Sequence, residues 1–252
     1  MTYVMADIHG NLRRFESVMN QIDLQPEDVL YILGDVIDRF PDGIKILRRI
    51  MKMPNAVMLL GNHEYMMLDA VGVPADSGMK RKENIWEKSL WFGNSGLATY
   101  EYLKHIRKDI RAEIFEYLLA CPINLEIEVN GQKYRLMHGA PATPYFENLR
   151  YDISVAQESV WGRWAERDAD LEGCIGIFGH TPTECYQDCN PLRIWYSSNG
   201  QKIGIDCGSG YPEASQRTPD DPAIGRLACL RLDDMKEFYS EEDEIRDLMP
   251  YR

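Results

Sequence analysis

The sequence predicts an α/β fold, with a parallel sheet in its first half and mainly antiparallel strands in its second. Three observations carry that reading. Over residues 3–60, short apolar runs alternate with stretches of helical spacing. Each of those runs ends at a polar cluster that contains a glycine. Asn130-Gly131 and Asn199-Gly200, the preferred two-residue hairpin pairs, punctuate the second half.

Tyr3 to Ala6 reads as a buried strand stopped by Asp7-Ile8-His9-Gly10. Asn11 to Ile22 places Leu12, Phe15, Val18, Met19 and Ile22 on one helical face. Asp28 to Leu33 is a second strand, ending at Gly34-Asp35, and Ile44 to Met51 is helical again. Ala56 to Leu60 is a third strand, ending at Gly61-Asn62-His63-Glu64. Such β-α-β-α-β alternation implies parallel strands joined by crossover helices. Ligand sites in such sheets gather beyond the strands' C-terminal ends, where the polar clusters fall.

From Ser77 to Ala120 the chain turns charged and aromatic, and Glu101 to Leu119 is helically periodic. This segment is expected to be a helical insertion within a single domain spanning residues 1–252. Its aromatics are read as the core of that insertion, and Lys80, Arg81 and Lys82 as a solvated turn. Beyond the hairpin of Ile123 to Val129 with Lys133 to Met137, strands are expected at Cys174 to Phe178, Arg193 to Tyr196, Lys202 to Asp206 and Arg226 to Leu232. The charged tail from Ser240 is expected on the surface.

The composition is that of an ordinary globular protein, 44% hydrophobic and 27% charged. No apolar run is long enough to span a bilayer, and charged and turn residues by Asp7 and Asn11 argue against a signal peptide. A cytoplasmic protein with no membrane partner is expected, monomeric by default. The net charge of -12 excludes broad electrostatic binding to nucleic acid. The six cysteines include only one close pair, Cys185 and Cys189, and are read as reduced and mostly buried.

Four of the five histidines, His9, His63, His138 and His180, stand beside or near a glycine at the end of an expected strand. One such histidine is ordinarily a core residue, but four in matching contexts are not. Asp7, Asp35 and Asn62 share those strand ends. Imidazole, carboxylate and amide groups suit zinc, iron or manganese, and the set exceeds the needs of one ion. Two closely spaced ions would use it.

These residues resemble the calcineurin-like metallophosphoesterases, and within them the phosphoprotein phosphatases, especially the small phage and bacterial serine/threonine enzymes. The blocks are Asp7-Ile8-His9-Gly10, Gly34-Asp35-Val36-Ile37-Asp38-Arg39, Gly61-Asn62-His63-Glu64, His138-Gly139-Ala140 and Gly179-His180-Thr181, in family order across residues 7–181. The resemblance implies two packed mixed β-sheets flanked by helices. It also implies two divalent metals, with manganese expected and iron or zinc compatible. Asp7 and His9 are implied ligands of one metal, Asp35 a bridge, and Asn62, His138 and His180 ligands of the other. The catalytic set is His63 as general acid, Asp38 as the carboxylate that orients it, and Arg39 and Arg163 on phosphate. Arg163 comes from the likeness of Val160-Trp161-Gly162-Arg163 to the family's second arginine segment. Arg39, Arg163, Asn62 and Tyr211 are the expected substrate contacts. Phe40, where the family commonly has glycine, and Gly139, where it commonly has alanine, depart from the pattern.

The implied chemistry is phosphomonoester hydrolysis by a metal-bridging hydroxide. Guanidinium groups would bind the phosphoryl oxygens in pairs, and His63 would protonate the departing alkoxide. The first reading is a serine/threonine protein phosphatase. The alternative is a hydrolase of small nucleotide phosphoesters such as symmetric diadenosine tetraphosphate. In the family pattern, that enzyme usually lacks the aspartate at Asp38 and has Asp where this chain has Glu64. An inactive metal-binding scaffold is disfavoured because the implied ligands and acid are all present.

Overall fold

The computed structural model describes residues 1–72, 85–141, 153–213 and 223–241. Strands β1 (Thr2–Met5), β2 (Val29–Ile32) and β3 (Ala56–Met58) run parallel, joined by helices α1 (Leu12–Ile22) and α2 (Gly43–Ile50). Helix α1 starts where Asn11 Oδ1 accepts the Arg14 N–H, and stops where Asp23 turns left-handed at φ 44°. Its buried stripe is Phe15, Val18, Met19 and Ile22, four of the five apolar positions expected. The last strands return to this sheet. β9 (Ala228–Arg231) pairs antiparallel with β1, and β10 (Lys236–Tyr239) with β9.

The second sheet corrects the antiparallel expectation. Strands β4 (Asn124–Val129), β5 (Gln132–Met137), β6 (Ile175–Phe178), β7 (Trp195–Tyr196) and β8 (Lys202–Gly204) lie in the order β4-β5-β6-β8-β7. Both Asn-Gly turns close antiparallel pairs, β4 with β5 and β7 with β8. The pairs β5–β6 and β6–β8 are parallel. Long connections separate β5 from β6 and β6 from the β7–β8 hairpin, which lets β6 and β8 each run in the same direction as its earlier neighbour. Both sheets are therefore mixed.

Side chains alternate between two interiors along each strand. Tyr3, Met5, Leu30 and Ile32 face the helices, and Val4, Ala6 and Leu33 face Leu136, Ile177, Ile203 and Ile205 of the second sheet. Each such buried aliphatic side chain contributes about 2 kcal/mol through burial.

Helix α3 (Asn62–Ala70) follows β3 directly. The insertion continues as α4 (Ile85–Gly93), α5 (Leu97–His105) and α6 (Lys108–Ala120). The single periodic stretch expected over 101–119 is thus two helices, broken where Ile106 and Arg107 are extended at ψ 157° and 146°. Trp91, Leu103, Ile114 and Leu118 are buried in the same core as α1 and α2, whereas Trp86 is 80% exposed. Lys80, Arg81 and Lys82 lie outside the described residues, as does the tail beyond Glu241. A seventh helix, α7 (Ile153–Trp161), precedes Arg163.

Candidate metal centre

The parallel strands of both sheets deliver their C-terminal loops to one end of the fold. β1 leads to Asp7 and His9, β2 to Asp35, Asp38 and Arg39, and β3 to Asn62 and His63. In the second sheet β5 leads to His138 and β6 to His180. Asp7, His9, Asp35, Asp38, Arg39 and His180 all have φ between 51° and 69°. Residues other than glycine seldom adopt that left-handed region, and its cost is accepted where a side chain must be aimed. Gly61 and Gly179 allow the loops to close. A Cβ on Gly61 would lie 2.3 Å from Asp35 Oδ1, and one on Gly179 would lie 2.1 Å from Asp7 Oδ2.

The donor atoms converge in two groups that share Asp35. His9 Nε2 lies 3.6 Å from Asp35 Oδ2 and 3.9 Å from Asp7 Oδ1. On the other side, His138 Nε2 is 3.4 Å from Asp35 Oδ1. His138 Nε2 and His180 Nδ1 each approach Asn62 Oδ1 at 2.9 Å.

This set fits metal ions on its own chemistry. His9 Nε2 is buried without a hydrogen-bond partner. The His138 Nδ1–H donates to the Leu33 carbonyl at 2.6 Å, which leaves a lone pair on Nε2 facing the amide oxygen of Asn62. Two lone pairs 2.9 Å apart need a proton or a cation between them. Buried carboxylates likewise need compensating charge.

Electrostatics follow from this crowding. Burial, and then the neighbouring Asp206, push the Asp7 carboxyl well above the usual carboxylate range. Burial also opposes ionisation of Asp35, but His138, His63 and His9 outweigh it and hold that carboxyl well below its ordinary value. For His138 burial opposes the proton, yet Asp35 raises the imidazole to about 10. Burial, followed by His138, takes His180 down to about 3. His9 is driven well down by burial and then by Arg39.

His63 offers a ring nitrogen within 4.8 Å of the His9 and Asp35 donor atoms and is also paired with Asp38. Its Nδ1 lies 2.7 Å from Asp38 Oδ2, and its Nε2 points towards Asp35 Oδ2 at 3.8 Å. Burial resists charging His63, but Asp35 and Asp38 raise its pKa overall. Arg39 and Arg163 are both exposed, and among the described residues neither guanidinium has a hydrogen-bond or ion-pair partner. Arg39 packs beside His9 across Gly210, and Arg163 depresses the pKa of His180 by its charge. The loop after Arg163 is fastened by buried Lys202, whose Nζ donates to the carbonyls of Ala165, Glu166 and Asp168. Gly139 lets this region pass close to His138, since a Cβ there would meet the Ser159 and Gly162 carbonyls at 2.6 and 2.7 Å. Tyr211 is half-buried, and its hydroxyl donates to Glu184 Oε1. The Phe40 N–H donates to the His9 carbonyl at 3.1 Å, which joins the first two site loops.

Three residues beside the site were absent from the sequence-derived set. Asp206, after β8, is buried next to Asp7 and accepts the Gly208 N–H at 2.9 Å. Ile205-Asp206-Cys207-Gly208 repeats the strand, polar residue and glycine signal seen elsewhere. Glu64 is buried and accepts four backbone N–H groups, from Asp35, Val36, Ile37 and Gly61. It ties the loop bearing Asp35 to the start of α3. Trp91 Nε1–H donates to Asp38 Oδ2 at 2.7 Å.

The model of the calcineurin-like phosphoesterase family matches residues 2–205. A symmetrical bis(5'-nucleosyl)-tetraphosphatase of Erwinia tasmaniensis is 39% identical over 159 residues, which cover 62% of this chain and 48% of that protein. The chain thus spans about half the length of this relative. Serine/threonine-protein phosphatase 2 of Salmonella typhimurium is 31% identical over 166 residues, covering 64% of this chain and 67% of that one. The crystal structure of a metallophosphoesterase from Sphaerobacter thermophilus superposes with a TM-score of 0.53 at 17% identity, covering 96% of this chain and 88% of that one.

Proposed function

The chain belongs to the calcineurin-like phosphoesterases, and on that premise we propose that it is a metal-dependent phosphatase of phosphoserine and phosphothreonine in proteins. The observation that carries this reading is the buried His63–Asp38 pair, with His63 Nε2 turned towards the Asp35 carboxylate. A serine or threonine alkoxide is a poor leaving group and must be protonated as it departs. A nucleotide phosphate leaves readily without that help. A histidine whose pKa is raised by Asp35 and Asp38 against the effect of burial is therefore matched to an alkoxide.

Asp7, His9 and Asp35 would hold one divalent cation, and Asp35, Asn62, His138 and His180 the other. Such a pair would lower the pKa of a water and offset phosphoryl charge. The exposed guanidiniums of Arg39 and Arg163 would take the remaining phosphoryl oxygens and fix the ester for in-line displacement. His63 would pass its Nε2 proton to the leaving oxygen, while Asp38 keeps the ring aligned and stabilises its charge. Neutral Asn62 adds an oxygen donor without repelling the phosphate.

A second reading, hydrolysis of symmetric dinucleoside tetraphosphates, is favoured by the 39% identity to the Erwinia protein. The two are separated by giving the manganese-loaded protein a phosphothreonine peptide and diadenosine tetraphosphate. A higher kcat/KM on the peptide is expected, and preference for the nucleotide would overturn the protein phosphatase reading.

A further inference from the structure

Asp38 Oδ2 accepts two hydrogen bonds of the same length, 2.7 Å from His63 Nδ1 and 2.7 Å from Trp91 Nε1. Trp91 lies on α4, 53 residues further along the chain, and is completely buried. The turn after α4 is shaped around its indole, for a Cβ on Gly96 would fall 2.2 Å from Nε1. This turn and the start of α5 also meet the backbone of the Asp38–Arg39 loop at two points. The Asp38 N–H donates to Thr99 Oγ1 at 3.2 Å, and the Arg39 N–H points to the Ser95 carbonyl at 3.4 Å. Asp38 and Arg39 are both left-handed, at φ 69° and 64°, so their loop does not hold its shape by backbone preference alone.

We propose that Trp91 is a positioning residue for the Asp38–His63 pair, and that helices α4 and α5 thereby set the geometry of the acid and of the neighbouring Arg39. The indole N–H fixes which carboxylate oxygen faces His63 and stops the carboxylate from rotating. This rests on the reading of His63 as the acid, but the contact itself is testable apart from that role. Asp38 Oδ1 is buried without a partner, so the carboxylate is oriented through Oδ2 alone.

The test is Trp91→Phe, which keeps an aromatic ring and removes the donor. In zinc-loaded protein with ¹⁵N-labelled histidine, the low-field Nδ1–H proton of His63, assigned by its loss in His63→Gln, is expected to shift and broaden. With metal content unchanged, kcat should fall about tenfold on a phosphoserine peptide and less than about twofold on p-nitrophenyl phosphate, whose leaving group needs no proton. An unmoved His63 proton would overturn the proposal. A moved proton with equal losses on both substrates would leave the positioning intact and sink the acid reading instead. If the phenylalanine variant does not fold, Thr99→Val removes the acceptor for the Asp38 N–H and should move the same resonance; no movement there would also overturn the proposal.

Discussion

His63 Nδ1 and Asp38 Oδ2 stand 2.7 Å apart, both buried, although 25 residues separate them in the chain. Burial works against a charged His63, and Asp35 and Asp38 overcome it, so its pKa lies above the ordinary histidine value. As general acid, His63 acts while protonated, and the rate falls as pH rises through that pKa. Asp38→Asn removes one of the stabilising charges. The alkaline limb of kcat on a phosphoserine peptide should therefore move to lower pH, with the acid limb unmoved. A pH–rate profile checks this, and an unmoved alkaline limb would contradict it.

Asp35 offers one oxygen to each donor group, Oδ2 towards His9 and Oδ1 towards His138. Asp35→Ala should empty both positions, whereas Asn62→Ala should chiefly empty the one shared with His138 and His180. Elemental analysis after dialysis would report the bound metal, and both variants should lose most activity. Removing metal from the unmodified protein should lower its Tm. Restoring it to 100 times Kd should return about 2.7 kcal/mol.

Gly179 lies against Asp7, with room for no side chain. Gly179→Ala keeps every donor yet would place a methyl 2.1 Å from Asp7 Oδ2. Bound metal and activity should both fall sharply. Metal binding at the unmodified level would mean that Asp7 is not a ligand.

Glu64 satisfies four buried N–H groups around the loop that carries Asp35. Glu64→Ala leaves them unpaired and should cost about 3–5 kcal/mol of stability. Denaturant unfolding of the metal-free protein measures this directly. A loss under about 1 kcal/mol would show that water replaces the carboxylate at little cost.

The three parallel strands and the site loops after them were legible because each strand ends at a glycine-flanked polar cluster, and both sheets place those ends together. Asp206 carries the same strand, polar residue and glycine signal as the others but belongs to none of the five blocks that resemble the family. The parallel pairing of β6 was not legible: an Asn-Gly turn reports the pairing of adjacent strands, and nothing local reports where a strand lands after a long crossover. The break between α5 and α6 has no glycine or proline to mark it, and the periodic pattern runs across Ile106 and Arg107. Glu64 and Trp91 reach partners 25 or more residues away, so their bonds to the Asp35 and Asp38 loops leave no periodic trace.

The central claim is that His63 protonates a poor leaving group at a metal-activated phosphoester. The most direct measurement is kcat of His63→Ala on a phosphothreonine peptide and on p-nitrophenyl phosphate, with metal content verified. A loss of about 10²-fold or more on the peptide, with a much smaller loss on the aryl ester, is predicted. Equal losses on both substrates, or hydrolysis of the peptide at the unmodified rate, would contradict the claim.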